Sequence, residues 1–286
     1  MKIYLTLLLL GGVLGLLALG HSNDTTGAPS LSVMTYNVGD IGEPLPGLES
    51  IVETIRKLGT PDVLFLQEAP GKNGVASLAN LLGMRFHVYL PYQKDGASGM
   101  AILARTELHN PRILHFKASE MNRGALLAEM NFEGGPIALC SVHMDHISSV
   151  STGGQKILDV SWQKGLSLIE RELIDETART RSTKELLTWP ALKRYERVII
   201  GGDFNTIPFS RTIRLMNDRF YDALWPSLEF FKGSYKKTTL PVAPRIDFIF
   251  ASRGLLALEA SVGRKTAGDH YPIRARFAVE GKQPYS

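Results

Sequence analysis

The chain has a single cysteine, Cys140, so no disulfide can form within its 286 residues. A noncovalent core must hold the fold, even in an oxidising compartment. Cys140 lies in the apolar run IALCSVHMDH and reads as a small buried hydrophobe. Excess charge of one sign is also lacking: 32 Lys and Arg against 28 Asp and Glu leave +4. That balance is too weak by itself to imply a nucleic-acid partner. No repeat of fixed period and no low-complexity tract occurs, which excludes solenoids and disordered arrays. The long hydrophobic run stands at the start, MKIYLTLLLLGGVLGLLALG, residues 1–20. Lys2, the apolar stretch, and Ala18 and Gly20 at its end are spaced as in a signal peptide, with a mature amino terminus near His21. The expected location is therefore secreted or periplasmic, with no stable membrane span after cleavage. The alternative is an uncleaved anchor over residues 3–20, at the short end of a bilayer span. No cysteine follows the run, so a bacterial-type lipid anchor is unsupported.

What is present is 44% hydrophobic residues, enough for one large core. A polar linker at 21–30 leads into one domain over 31–280, and 281–286 is a tail. LSVMTYNVG alternates and ends as a strand at Asn37. GLESIVETIRKLG spaces Ile51, Ile55 and Leu58 as a helix does, with Gly59 as its stop. DVLFLQE is a buried strand ending in Glu68. GMAILA (99–104), ALLAEMNF (125–132) and GGPIALCSVHMDH, running into His143, are further strands. Leu166, Ile169 and Leu173 predict an amphipathic surface helix over 164–180. RVIIGGDFNTIP carries a strand through two glycines to Asp203 and Asn205, and the glycines are expected to permit a tight turn there. RIDFIF and DHYPIRARFAV complete the set, the latter as a closing strand over 269–279. Many strands with few helices between them predict an α/β protein of two packed, mostly antiparallel sheets with helices outside.

Polar residues cluster at these strand ends: Asn37, Glu68, His143, Asp203, Asn205, Asp247, Asp269 and His270. Each alone has an ordinary reading. The asparagines could cap turns, His143 could be a structural histidine, and Asp247 could pair with Arg245. Jointly they suggest metal-assisted phosphoester hydrolysis, because independent strands deliver carboxylate, amide and imidazole to one end. Glu68 and Asp269 with Asn37 are hard oxygen ligands that suit Mg²⁺ or Mn²⁺. Zinc would want more His or Cys. His143 and His270 could donate to phosphate oxygens and move protons, while Asp203 aligns or deprotonates a water.

MTYNVG, LFLQE, SGMAILAR, SVHMDH, GGDFNTIP, RIDFIF and GDHYPIRARF occur in an order that resembles the endonuclease/exonuclease/phosphatase superfamily. These metal-dependent phosphoesterases include pancreatic-type deoxyribonucleases, abasic-site endonucleases, neutral sphingomyelinases and inositol polyphosphate 5-phosphatases. The resemblance spans residues 31–280 and implies a four-layer α/β sandwich with the active site at one edge of its sheets. It implies that Glu68 is the main metal ligand, with Asn37 and Asp269 completing the shell. His143 and His270 would grip the scissile phosphate, Asp247 would orient His270, and Asp203 with Asn205 would position the water. Arg123, in NRGALLAEM, is either a phosphate contact or a surface salt bridge. Gly39 and His143 depart from the acidic residue and the tyrosine of abasic-site enzymes, which disfavours that repair role. The extended interval at 147–195 is either a lid or an elaborated outer helix. FKGSYKK (231–237) could stack and neutralise a nucleic acid, or be an ordinary solvated loop. The expected function is a monomeric phosphodiesterase acting on nucleic acid or a phospholipid head group. The alternatives are a phosphomonoesterase on a small ester and a non-catalytic binding module.

Overall fold

The computed structural model describes residues 29–39, 46–146, 167, 170–236 and 243–279. The expected export segment at 1–20, most of the linker at 21–30 and the tail at 281–286 lie outside the described residues, as does part of the 147–195 interval. Among the described residues no helix is long and apolar enough to cross a membrane.

One sheet contains β1 (Leu31–Asn37), β2 (Val63–Ala69), β3 (Phe86–Pro91), β4 (Gly99–Ala104), β11 (Leu255–Val262) and β12 (Ile273–Val279), in the spatial order β11-β12-β1-β2-β4-β3. The other contains β5 (His109–His115), β6 (Gly124–Phe132), β7 (Gly135–His143), β8 (Val198–Asp203), β9 (Phe220–Asp222) and β10 (Asp247–Ser252), in the order β5-β6-β7-β8-β10-β9. Each sheet has one central parallel pair, β1 with β2 and β7 with β8. The remaining neighbours are antiparallel.

Side-chain alternation assigns each strand residue to a layer. Leu31, Val33 and Phe65 of the first sheet meet Leu126, Leu139 and Ile199 of the second in a core between the sheets. Met34, Tyr36 and Leu64 point the other way, onto Ile51, Ile55 and Leu78 of α1 (Leu48–Leu58) and α2 (Gly71–Leu82). On the far side Cys140, Ile200 and Phe248 pack with Leu186 of α3 (Ala178–Thr188) and with Ile213 and Met216 of α4 (Arg211–Asn217). The result is the expected four-layer α/β sandwich. Strands covered on both faces read as unbroken apolar runs, which is why β2 and β8 stand out in the sequence. Each fully buried aliphatic side chain contributes about 1.5–3 kcal/mol. Cys140 is fully buried among them, and burial raises its thiol pKa.

Three local expectations change. The helix expected over 164–180 is helical at 170–174, breaks at 175–177, and restarts as α3 with the Thr177 side chain accepting from the Thr180 backbone N–H. Its buried face is largely polar, with Arg179, Thr180, Ser182 and Thr183, so hydrophobic spacing could not find it. The closing strand begins at Ile273 rather than 269, just after Pro272, whose nitrogen cannot donate to a ladder. Asp269 and His270 therefore sit in the approach loop. The third change concerns Gly201 and Gly202, which lie inside β8 and make no turn. A Cβ at Gly201 would stand 2.4 Å from Cδ2 of Phe65, and one at Gly202 would stand 1.9 Å from the Val142 carbonyl oxygen. The glycines allow close packing, and the turn itself falls at Asn205, with φ 49°.

Gly201→Ala should therefore destabilise the fold by about 1–3 kcal/mol through overpacking against Phe65. Denaturant unfolding checks this, with Phe65→Leu in the same chain expected to recover part of the loss. Unaltered stability of the single variant would contradict the close-approach account.

Candidate active site

Strand register lines up the central residues of the site. The parallel pair β7/β8 puts His143 beside Asp203, and the antiparallel pair β8/β10 puts Asp203 beside Asp247. On the other flank Gly124 pairs with His143, so Arg123 follows one step further out. In the first sheet β1 and β2 set Asn37 beside Gln67, with Glu68 next along the chain. The two sheets meet where Asn37 Nδ2 donates to Asp203 Oδ2 at 3.0 Å.

Glu68 is aimed by a β-bulge, since the β2/β4 register shifts between Leu66 and Ala69 and Glu68 takes φ 53°. Its N–H donates to the Tyr92 hydroxyl at 3.2 Å. Its Oε1 lies 3.8 Å from Arg123 Nη2 and 3.9 Å from His143 Nε2. Gly39 leaves room for this carboxylate: a Cβ there would stand 2.1 Å from Glu68 Oε2 and 3.2 Å from Asn37 Oδ1. A side chain at 39 would displace Glu68, which explains the glycine at that position.

His143 is held by a phenol. Tyr92 Oη lies 2.6 Å from Nδ1, leaving Nε2 3.5 Å from Asp203 Oδ2. With the phenol accepting from Glu68 N–H and donating to Nδ1, His143 presents an Nε2–H to the site. His270 is held by a carboxylate instead, its Nδ1 2.8 Å from Asp247 Oδ2 and its Nε2 3.8 Å from Asp203 Oδ2 and 3.9 Å from Asp269 Oδ1. Arg245 does not compete for Asp247, because it donates to Asp222 at 2.6 Å. Asn205 donates its backbone N–H to Asp203 Oδ1 at 2.8 Å, and its Nδ2 donates to the Met144 carbonyl at 2.8 Å and to Asp203 Oδ2 at 3.2 Å. Arg123 is no surface salt bridge: its guanidinium lies 4.3 Å over the Tyr92 ring, and its Nε is buried without a hydrogen-bond partner. The structure thus brings together every candidate residue.

Unlike partners polarise the groups differently. Burial, then repulsion from Asp247, raises Asp203 to about 7 against the opposing pull of His270. Burial alone would lower His270, but Asp247, Asp203 and Asp269 outweigh it and hold the imidazole at about 10. Burial, followed by the charges of Arg123 and His270, keeps His143 well below the ordinary histidine range, hence neutral. Tyr92 was not singled out in the sequence. The available signal was a polar-tipped aromatic directly after an apolar strand.

Two groups could receive a cation. Asp203, Asp247 and His270 have ligand atoms within 4.8 Å of one another. A doubly protonated His270 has no lone pair to give, however, and its ring is committed to Asp247. Asn37 Oδ1, which accepts the Gly39 N–H at 3.0 Å, and Glu68 Oε2 instead lie together over Gly39, and the Asp269 backbone N–H, 3.3 Å from the Gly39 carbonyl oxygen, ties its loop there. Hard oxygens gathered in this way suit a hard divalent cation.

Two packed mixed sheets bring carboxylates, amides and imidazoles to one edge, an arrangement suited to hydrolysis of a phosphoester bond. The Endonuclease/Exonuclease/phosphatase family profile matches residues 34–270, and the chain belongs to that family. A search of curated proteins finds no match. Among solved structures, an endonuclease/exonuclease/phosphatase from Beutenbergia cavernae is similar at 19% identity, over 90% of this chain and 73% of that one, with TM-score 0.63. D. rerio TDP2 complexed with single strand DNA product is similar at 19% identity over 87% and 99%, with TM-score 0.60. A family protein from Bacteroides thetaiotaomicron is similar at 16% identity over 88% and 99%, with TM-score 0.61.

Tyr92→Phe removes the hydroxyl that orients both His143 and the Glu68 backbone. Turnover on a phosphoester that the wild type hydrolyses should fall about 10- to 100-fold, the usual loss when an orienting partner is removed. Steady-state kinetics beside an unfolding curve test this, and full turnover in the variant would mean that something else holds His143.

Proposed function

We propose that this phosphoester hydrolase is an exported, Mg²⁺-dependent phosphodiesterase acting on nucleic acid or a phospholipid head group. The observation that carries the reading is the pair of buried imidazoles on either side of Asp203, one neutral and one cationic. Asn37, Glu68 and Asp269 would hold Mg²⁺ or Mn²⁺. When bound, the metal supplies Lewis acidity at the phosphate and offsets developing charge. Asp203 aligns the attacking water in its ionised form and accepts its proton, with Asn205 fixing the carboxylate. His143 donates from Nε2 to a non-bridging oxygen. His270, kept charged by Asp247, stabilises the transition state and can protonate an alkoxide leaving group, a demand typical of diesters. Arg123 is the basic side chain beside Glu68, and a phosphate held chiefly by one guanidinium and two imidazoles suits a singly charged diester better than a dianionic monoester. The DNA product bound by the D. rerio TDP2 neighbour favours retaining nucleic acid among the substrates.

Purified protein assayed on plasmid DNA, sphingomyelin and phosphate monoesters, with Mg²⁺ and with chelator, should hydrolyse diesters more efficiently and only with metal. Glu68→Gln should sharply weaken Mg²⁺ binding with the fold intact. His270→Ala should lower turnover by roughly two to four powers of ten. A chelator-sensitive preference for monoesters would move the reading to a small-ester phosphatase.

Export rests on Lys2, the apolar stretch and the small residues Ala18 and Gly20. Amino-terminal sequencing of the protein recovered outside the cytoplasm should begin near His21. An intact Met1 on a membrane-bound form would mean an anchor instead.

A further inference from the structure

We infer that the rim formed by the loop after Asn205 and the Trp225–Lys232 segment docks on an anionic phospholipid bilayer. Five of the eight exposed large hydrophobic side chains among the described residues are Ile174, Phe209, Trp225, Leu228 and Phe231, each more than half exposed and Leu228 79% exposed. The Phe209, Trp225 and Phe231 rings surround buried Phe230 at centroid distances of 5.5, 5.1 and 5.2 Å. Arg214 joins Ile174 to them, donating to the carbonyls of Phe209 and Leu173. Phe209 holds φ 67°, a left-handed conformation unfavourable for a bulky residue. A clustered apolar rim of this kind marks an interaction surface rather than ordinary scatter.

The 3₁₀ turn Leu228–Phe231 sorts its side chains by threes, because residues i and i+3 eclipse. Leu228 and Phe231 share the outer apolar face, and Phe230 turns inward. Glu229 and Lys232 fall on the third face, lining a cleft of about 570 Å³ with Lys57, Arg264 and Lys265. Four cations there face Glu229, with Glu53 at the margin on Lys57. Arg214 and Arg211, the latter 3.7 Å from the Glu176 carboxylate, flank the other edge beside Ile174. Apolar side chains between two sets of cations complement a bilayer surface: acyl chains take the former, and anionic head groups face the latter. Tryptophan at such a rim suits the lipid–water boundary. A single-stranded nucleic acid fits less well. Leu228 and Ile174 offer no face for base stacking, and the rings pack edge-on or tilted at 57–82° to Phe230.

The rim adjoins the catalytic centre. Phe209 follows Asn205 closely, and beyond Lys232 the chain reaches Tyr235, edge-on to His270 at 5.1 Å. A docked bilayer would thus present head-group phosphodiesters to the site. That last step rests on the phosphodiesterase reading above, whereas docking itself requires no hydrolysis.

The test separates the two. Full-length Glu68→Gln protein, which spares the lipid, carries Leu228→Cys labelled with an environment-sensitive fluorophore; native Cys140 is fully buried and does not compete. The label should shift to the blue on mixed phosphatidylglycerol and phosphatidylcholine vesicles and hardly at all on pure phosphatidylcholine. Adding Phe209→Ser and Phe231→Ser should weaken the shift about tenfold or more in lipid concentration, and Lys232→Glu with Arg264→Glu should abolish the preference for anionic vesicles. No shift on anionic vesicles would overturn the proposal. So would a shift produced equally by single-stranded DNA, or one that grows with protein concentration alone, which would mean a nucleic-acid or self-association surface.

Discussion

The Asp203 carboxylate is the point on which the site depends. It stands at the end of β8, is almost wholly buried, and accepts hydrogen bonds from Asn37 of the opposite sheet and from Asn205 of its own loop. An ionised carboxylate in such a position is costly unless donors surround it. The close approach of the sheets at Gly201 and Phe65 brings Asn37 within reach. A buried polar link behind it, Thr35 to Gln67 at 3.2 Å and Gln67 to Ser141 at 3.0 Å, ties β1 and β2 to β7 one step deeper. The end of the sandwich is thus fixed by polar contacts between sheets, and its middle by apolar ones.

Around Asp203 the histidines are made unequal by their partners. A phenol on His143 Nδ1 fixes orientation without adding charge, so burial wins and the ring stays neutral. A carboxylate on His270 Nδ1 adds charge, so the imidazolium wins over burial. Identical side chains in one site can therefore hold different protonation states, which lets one act as an uncharged donor and the other as a cation and acid.

The interval between His143 and Asp203 contributes to the site from below. Arg179 of α3 is paired with Glu172, and Glu172 also accepts from Thr206 at 2.7 Å, just past Asn205. Arg179 donates to the Asp145 carbonyl at 3.0 Å, and the Asp145 side chain accepts from Ser119, whose oxygen accepts the Arg123 N–H at 2.9 Å. The described part of this insertion is a buried staple on the loops that carry Asn205, Asp145 and Arg123. Breaking such a pair on one side leaves a buried charge unmatched, which makes it sensitive to single substitutions. A buried polar face of this kind fits an elaborated structural helix better than a lid.

The sequence by itself determined the strands β1, β2, β4, β6, β7 and β8, because burial writes an apolar run, and at β1, β2, β7 and β8 the polar terminus of that run marks the site. It likewise marked Asn37, Glu68, His143, Asp203, Asp247 and His270 as candidates, since each stands at or beside such a terminus, but it missed Tyr92 and left Arg123 open. It left β3, β5, β9 and β11 unread, where edge strands with mixed exposure carry weak patterns. Tertiary structure alone decided the partners. That Arg245 takes Asp222 and leaves Asp247 to His270, that Tyr92 orients His143, and that Gly201 spaces the sheets rather than turning the chain all depend on contacts between segments far apart in sequence. Local pattern records how a segment is buried. It does not record which distant group it meets, because that is set by strand register and by the gap between sheets.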